Sequence, residues 1–352
     1  MHGVDIERLQ IASVMLKGLE DFATSAGLDF RSLVSAVELE ELDPDADNQY
    51  VNLDRFAKLL QIAAILAGDE GFALRYADWR FPRPTGPLSF ALTNAPDIRT
   101  AFHTLVKYTS TRIDVSNIEV VVENDRVVIE WSFSPLLIRR WQLCDYSVGT
   151  IMRQLRSTIE TSFRPLSVRL MRPQPRNLEI HRRILGRSLE FSQTTNSIAL
   201  PQSILNAPVR EPNPELFRMS IQLLDRLLAE RRAAADLVTS VREEVIQALP
   251  SDDGSQIKRI ARRLGMSVRS LQRHLAENST SFQELVDDTR KQLAERYLED
   301  DTMTLSQISY HLGFSAPSAF TRACHRWFGQ RPGAVRRALH DKLTKEDLPR
   351  IA

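Results

Sequence analysis

Cysteine is almost missing: Cys144 and Cys324 are the only two in 352 residues. They form no metal-ligand spacing and support no disulfide framework, so a reducing, cytoplasmic setting is expected. Long apolar runs are missing too. None reaches 18 residues, and the start, Met1-His2-Gly3-Val4-Asp5-Ile6-Glu7, lacks a basic stretch followed by an apolar one. Neither a membrane span nor a secretory leader is expected. Net charge is nearly absent, because 46 Lys+Arg against 45 Asp+Glu leave +1. Overall charge therefore gives no sign of a polyanionic partner. There is also no Gly-x-Ser-x-Gly, no phosphate-binding glycine loop and no His-Glu-x-x-His. His103 and His181 have no carboxylate or Cys at ligand spacing. No catalytic residue, metal or cofactor is expected.

What is there is an ordinary globular composition, 43% apolar and 26% charged, in a chain long enough for two or three domains. One pattern occurs twice. Residues 257–271 read IKRIARRLGMSVRSL and residues 305–319 read LSQISYHLGFSAPSA. With Gly265 set on Gly313, Ile260 meets Ile308, Ala261 meets Ser309, Leu264 meets Leu312 and Ser267 meets Ser315. This is the layout of a helix, a tight turn through Gly and a second helix. The small residue four before the Gly allows close crossing, the Gly supplies positive φ, and the Ser suits an N-cap. One such match fits many helix corners. Two copies about 48 residues apart, joined by one helical stretch, are a specific signal for DNA binding.

The local charge agrees. Residues 251–340 hold about 14 Lys+Arg against about 10 Asp+Glu, with Lys258, Arg259, Arg262, Arg263, Arg269 and Arg273 in the first copy or just after it. Ser281-Phe282-Gln283-Glu284 and Thr304-Leu305-Ser306-Gln307 both fit a capping box, so a helix is predicted over 282–298 and another from 305. The first recognition helix should bury Val268, Leu271 and Leu275 and expose Arg269, Gln272 and Arg273. The second should bury Phe320, Ala323 and Phe328 and expose Ser318, Thr321 and Arg322. Arg can pair bidentately with guanine and Gln with adenine. Ser267, Ser270 and Ser315, with the helix N-terminal amides, suit phosphates. A solvated polar face is the competing account of each. Gly329 should end the second recognition helix, and Pro332 should open a short closing segment.

The N-terminal half reads as α+β. Residues 5–80 look mainly helical, with a wide apolar face from Leu53 to Leu66 that Gly68 ends. A helix starts after Asp97. Two β-rich runs, 115–122 and 127–133, flank a four-residue turn, Glu123-Asn124-Asp125-Arg126. A helix over 143–161 and short strands near 167–171, 189–191 and 197–200 follow, paired antiparallel. The four prolines of 201–214 mark a boundary. Beyond it, Leu216, Phe217, Leu223, Leu224, Leu227 and Leu228 share one helix face that packs on this domain or on a second copy. The expected division is 1–205, a linker with an amphipathic helix over 206–237, an all-α domain over 238–340 and a tail over 341–352.

Residues 238–337 resemble the DNA-binding domain of AraC/XylS-type transcription regulators. The resemblance rests on Leu264-Gly265-Met266-Ser267 with Leu271-Gln272-Arg273, and on Ile308 with Leu312-Gly313-Phe314-Ser315. Phe320-Thr321-Arg322-Ala323, Arg326-Trp327-Phe328-Gly329 and Pro332 extend it. It implies a unit reading two successive major-groove segments, with Arg269, Gln272, Arg273, Ser318, Thr321 and Arg322 where that family contacts bases. Cys324 stands where Phe is common and Val335 where an aromatic is common, so the second head is expected to have the thinner core. The N-terminal half resembles, more loosely, the sensor domain of the ornithine-utilisation and virulence-regulator branch, through Leu74-Arg75, Pro87-Leu88 and Tyr108. In family terms that is an arabinose-binding-like domain, without likeness to the cupin-type sugar sensor of the arabinose regulator itself.

The resemblance implies double-stranded promoter DNA, RNA polymerase, a small-molecule effector and a second copy of the chain as partners, no membrane, and activation of transcription. For the effector, Trp79, Arg80, Phe81, Phe90, Trp131, Arg139, Arg140 and Trp141 are the candidate lining, since aromatics with a few Arg suit an organic or amino acid. Core packing explains the aromatics equally well. Two other functions compete: a constitutive dimeric DNA binder with no ligand, and an N-terminal domain that does chemistry.

Overall fold

The computed structural model describes residues 9–39, 49–79, 86–115, 117–134, 137, 141–159, 162–234, 237–249, 256–299 and 303–346. The chain divides into two compact units, one built on residues 6–133 and 140–232 and the other on the chain from Ala233 onward.

The N-terminal unit runs β1 (Gln10–Ala12), α1 (Leu19–Ser25), α2 (Phe30–Ala36), β2 (Tyr50–Asn52), α3 (Leu53–Leu66), α4 (Phe72–Trp79), α5 (Gly86–Thr93) and α6 (Ile98–Tyr108). It continues with β3 (Asn117–Glu123), β4 (Arg126–Ser132), α7 (Trp141–Thr158), β5 (Ser167–Arg169), α8 (Glu179–Leu185), β6 (Leu189–Glu190), β7 (Asn196–Pro201) and α9 (Pro214–Ala234). The architecture is mixed α and β, as expected. Five strands form one sheet in the order β3-β4-β7-β5-β6, and β1 pairs with β2 in a separate ribbon. The ribbon escapes sequence reading because three-residue strands carry no usable alternation.

Two strand details differ from expectation. The β3–β4 hairpin is tighter, since Glu123 pairs with Arg126 and only Asn124 and Asp125 turn the chain. Asn124 takes φ +37°, a region that Asn enters more readily than most residues. The β5–β6 pair is parallel rather than antiparallel, with α8 supplying the crossover.

Helix α7 is the hub. Leu143, Tyr146, Val148 and Met152 are buried on it. At Gly149 a Cβ would lie 2.7 Å from the Ala77 Cβ and 2.9 Å from the Leu74 Cδ1, so the glycine lets α4 and α7 meet closely. A charged cluster is buried beside this seam. The Asp145 carboxylate accepts from the Arg172 guanidinium and lies 3.1 Å from the His181 Nε2. Asp145 and His181 are fully buried, and Arg172 is nearly so. His181 thus gains in space the carboxylate partner that sequence spacing withheld. Burial, with Asp145 beside it, pushes the Cys144 thiol up to about 12.

Helix α9 splits the face expected of it. Leu224, Leu227 and Leu228 are buried against the unit, whereas Leu216, Met219 and Leu223 form an exposed stripe. Asn213 caps its start, accepting from the amides of Glu215 (3.0 Å) and Leu216 (3.1 Å). Further along, Asp225 accepts from the Tyr108 hydroxyl at 2.6 Å and from Lys107 at 3.0 Å. Arg231 pairs with Asp114 at 2.5 Å and lies over the Tyr50 ring.

The C-terminal unit is helical throughout its described residues: α10 (Leu237–Ala248), α11 (Gln256–Arg263), α12 (Val268–Glu277), α13 (Phe282–Glu299), α14 (Leu305–His311), α15 (Pro317–Phe328) and α16 (Pro332–Glu346). The expected short closing segment is in fact α16, 15 residues long and opened by Pro332.

Candidate nucleic-acid interface

The first head is α11, a turn and α12. Gly265 has φ +68°, and the Met266 amide donates to the Ala261 carbonyl at 2.8 Å, closing the turn. Ala261 is buried at the crossing. Ser267 is the N-cap of α12, its hydroxyl accepting from the Ser270 amide at 3.1 Å. Leu271 and Leu275 are buried, and Val268 is half-buried. Arg269, Gln272 and Arg273 are exposed, as the periodicity predicts, and Ser270 is half-buried.

The second head is α14, a turn and α15. Gly313 has φ +70°, and the Phe314 amide donates to the Ser309 carbonyl at 3.0 Å. Here the cap prediction fails. The N-cap of α15 is Ala316, which has no side-chain bond, and Ser315 lies outside the helix. Pro317 causes the shift. A residue before proline is driven out of the α region, and Ala316 is extended at φ −154°, ψ 149°. The helix therefore starts one residue later than in the first head. Counted from each helix's own first residue, Arg269, Gln272 and Arg273 fall at positions two, five and six of α12. Ser318, Thr321 and Arg322 fall at positions two, five and six of α15, and all three are exposed. Thr321 donates its hydroxyl back to the Pro317 carbonyl at 3.0 Å, leaving its oxygen free to accept.

Between the heads runs α13. Both capping boxes form. Ser281 and Glu284 exchange bonds of 2.8 and 3.2 Å, and Thr304 with Gln307 does the same. Eighteen residues at ~1.5 Å each make a spacer about 27 Å long. It is tied to α10 by Arg242 and Asp288 at 2.6 Å.

Its stronger ties are to the second head. The Asp287 carboxylate accepts from the Trp327 Nε1 at 3.0 Å and pairs with Arg326. The Arg290 Nε donates to the Leu312 carbonyl at 2.9 Å, satisfying the end of α14, and the guanidinium lies over the Phe314 ring. Phe314 packs with Phe320 and Trp327 at 5.9 and 6.0 Å. Phe320, Ala323, Cys324 and Val335 are buried, while Phe328 is half-buried rather than inward. Burial pushes the Cys324 thiol up to about 11, so it acts as a small neutral filler. Cys324 and Val335 are thus the small side chains of a buried second core. An aromatic cluster and two charged residues of α13 support the second head. Asp287 and Arg290 were invisible to sequence reading, because exposed-face charges on a helix ordinarily face water.

Of the expected effector lining, Trp79, Phe90, Trp131 and Trp141 are among the described residues. Trp79 is half-exposed, its ring 5.5 Å from Phe22. Phe90 is exposed on α5, and Trp141 is half-buried at the start of α7. Trp131 is buried, its Nε1 donating to the Ser147 hydroxyl at 3.1 Å, so it is a satisfied core residue. No ring contact joins any two of these four among the described residues. Arg80, Phe81, Arg139 and Arg140 lie outside the described residues. Among the described residues no group of three metal-binding side chains occurs, and no helix is long and apolar enough to cross a membrane.

Residues 27–209 match the family model described as the arabinose-binding domain of AraC transcription regulator, N-terminal, and residues 260–338 match a helix-turn-helix domain. The chain is 26% identical to the ornithine utilization regulator of Pseudomonas aeruginosa, over 92% of this chain and 95% of that one. It is 23% identical to the HTH-type transcriptional regulator VirS of Mycobacterium tuberculosis, over 93% and 96%. Among solved structures it is similar to the transcriptional regulator CdpR from Pseudomonas aeruginosa, with 18% identity and a TM-score of 0.42 over 88% of this chain and 97% of that one. With its sensor-type N-terminal domain and its two helix-turn-helix heads, the chain belongs to the AraC family of transcription regulators, DNA-binding proteins rather than enzymes.

Proposed function

We propose that this regulator activates transcription from promoter DNA as a homodimer, α12 and α15 of each copy reading two successive major-groove segments. A small molecule held in the N-terminal unit sets its activity. The observation that carries the DNA reading is the matched pair of exposed triplets at the same helix positions, carried on one capped spacer. Its length of about 27 Å is of the order of the ~34 Å between neighbouring major grooves on one face of a duplex. In this reading the guanidinium groups of Arg269, Arg273 and Arg322 address guanine and the Gln272 amide addresses adenine. Ser318 and Thr321 supply adaptable hydroxyls. Ser267, Ser270 and Ser315 lie near phosphates, Ser267 as the cap that fixes the helix start. The exposed stripe Leu216, Met219 and Leu223 on α9 supports self-association.

Footprinting on the promoter of the regulated gene tests the two-head reading. Two protected segments about one helical turn apart are expected for each copy, with affinity falling steeply as salt rises. One segment alone would refute it. Sedimentation of the full chain and of Met219→Glu tests the dimer, whose loss in the variant is expected. A promoter-reporter assay with and without RNA polymerase contact variants separates activation from repression.

A further inference from the structure

Charge is balanced over the whole chain, yet one stretch of the N-terminal unit is strongly one-sided. Residues 164–187 hold seven Arg against a single acid, Glu179. Two of the seven are spent within the unit: Arg172 pairs with the buried Asp145, and Arg169 pairs with Glu190 at 3.2 Å. Arg176, Arg182, Arg183 and Arg187 instead line one open groove of about 640 Å³ around α8. All four are exposed. Three pieces of backbone bring them together, and each is held. Before the helix, the Arg176 amide donates to the Glu70 carboxylate at 2.7 Å. Arg182 and Arg183 lie in the last turn of α8, where the Arg156 guanidinium donates to the Ile184 carbonyl at 2.6 Å. Gly186, at φ +100°, then turns the chain into Arg187. Few acids answer these charges. Asp78 lies 4.0 Å from Arg183 and is shared with Arg153 at 3.8 Å. Among the described residues, the side chains of Arg176, Arg182 and Arg187 make no ion pair.

The carboxyl end of a helix favours cations in its last turn, which accounts for Arg182 and Arg183. It does not account for Arg176, which precedes α8, or for Arg187, which follows it. Guanidinium groups gathered around one groove repel one another, and a bound anion relieves that repulsion. Among the described residues that line the groove, Leu178 is the one apolar side chain. The groove therefore lacks the apolar enclosure that holds a small ligand, and it suits an extended partner whose negative charges repeat. The second unit of the same chain binds such a polymer through its two heads. Duplex DNA is thus supplied at high effective concentration, and contacts too weak to bind alone then add to affinity. We propose that this arginine groove holds the phosphate backbone of duplex DNA beside the operator. Its guanidinium groups donate in pairs to phosphate oxygens and contribute counterion release without base preference. The N-terminal unit is then a second DNA-holding surface.

The test uses the full chain and two promoter fragments. The short one ends at the segments protected by the two heads, and the long one adds about two helical turns of duplex on each side. Affinity is measured across a salt series. The parent should bind the long fragment at least about tenfold more tightly than the short one at low salt. Arg176→Gln, Arg182→Gln and Arg187→Gln together remove three charges that hold no ion pair. This variant should bind the short fragment as the parent does and lose the gain on the long one. Its slope of log K against log salt on the long fragment should be shallower by about 2–3. Arg176→Lys, Arg182→Lys and Arg187→Lys together keep the charge and should keep the slope. Arg187→Gln alone should reduce the slope by about 1. The proposal is overturned if the flanks add nothing to the parent's affinity, or if the triple Gln variant keeps the parent's gain and slope. A triple Gln variant that binds both fragments as the parent does, yet fails in a promoter-reporter assay, assigns the groove to an acidic protein surface and overturns the proposal as well. If the triple Gln variant also loses the short fragment, its fold is damaged, and the slope of Arg187→Gln decides.

Discussion

Gly265 and Gly313 adopt the same left-handed conformation, φ +68° and +70°, in the same turn of the two heads. A Cβ on Gly265 would meet no atom within 4 Å. On Gly313 it would lie 2.2 Å from the Leu249 carbonyl oxygen and 3.3 Å from the Arg290 guanidinium. The first turn therefore faces open space, and the second is wedged between the end of α10 and the spacer. Sequence duplication does not make structural duplicates. The same letters produce one turn that faces open space and one that is packed against the frame of the unit.

The glycines offer the hardest way to break this comparison. Gly265→Ala should cost about 1–2 kcal/mol, the steric penalty of the left-handed conformation alone. Gly313→Ala adds a clash with backbone, which cannot be relieved by a side-chain rotation, and should cost about 4 kcal/mol or more. Hydrogen exchange on α10, α14 and α15 of the full chain reads the difference. Equal losses in the two variants would show that the second turn is no more confined than the first.

Base readout sharpens the comparison from the DNA side. Arg273→Ala and Arg322→Ala should each lose about 1–3 kcal/mol on the cognate promoter and relax preference at different base pairs, roughly one helical turn apart. If either variant loses as much on scrambled DNA, that Arg contacts phosphate and its head does not read sequence. The support of the second head predicts a further asymmetry. Asp287→Ala removes the acceptor of Trp327 and the partner of Arg326, and should cost about 1–2 kcal/mol, since a hydrogen bond to a charged group is lost at a half-buried place. The loss should show as faster exchange in α15 while α12 keeps its protection.

Much of this was legible because the informative signals are local. A Gly four residues after Ala261 or Ser309, a Ser or Thr three before Glu284 or Gln307, and apolar residues at helical spacing are all read within one turn of chain. What escaped is what tertiary packing assembles. Asp145, Arg172 and His181 come from three separated stretches, and nothing in sequence spacing brings them within hydrogen-bond reach. Asp287 and Arg290 read as solvated charges until the second head is packed on them. Trp131 was a pocket candidate by residue type, but its ring is core and its Nε1 is spent on Ser147.

Ser315 marks the finest difference between the heads, because in the sequence it stands where Ser267 does. Ser267 accepts from the Ser270 amide, so Ser267→Ala should cost about 1 kcal/mol and fray the first turn of α12. Ser315 is displaced from the cap by Pro317, so Ser315→Ala should stay within about 0.5 kcal/mol of the parent. Ala316→Asn restores a side-chain acceptor at the true cap position and should stabilise α15 by about 0.5–1 kcal/mol. Urea titrations of the three variants check the order, with amide exchange at Ala319 as the local readout. A cost at Ser315 equal to that at Ser267 would return the start of α15 to Ser315. The triplet that faces the groove would then shift by one residue, away from Ser318, Thr321 and Arg322.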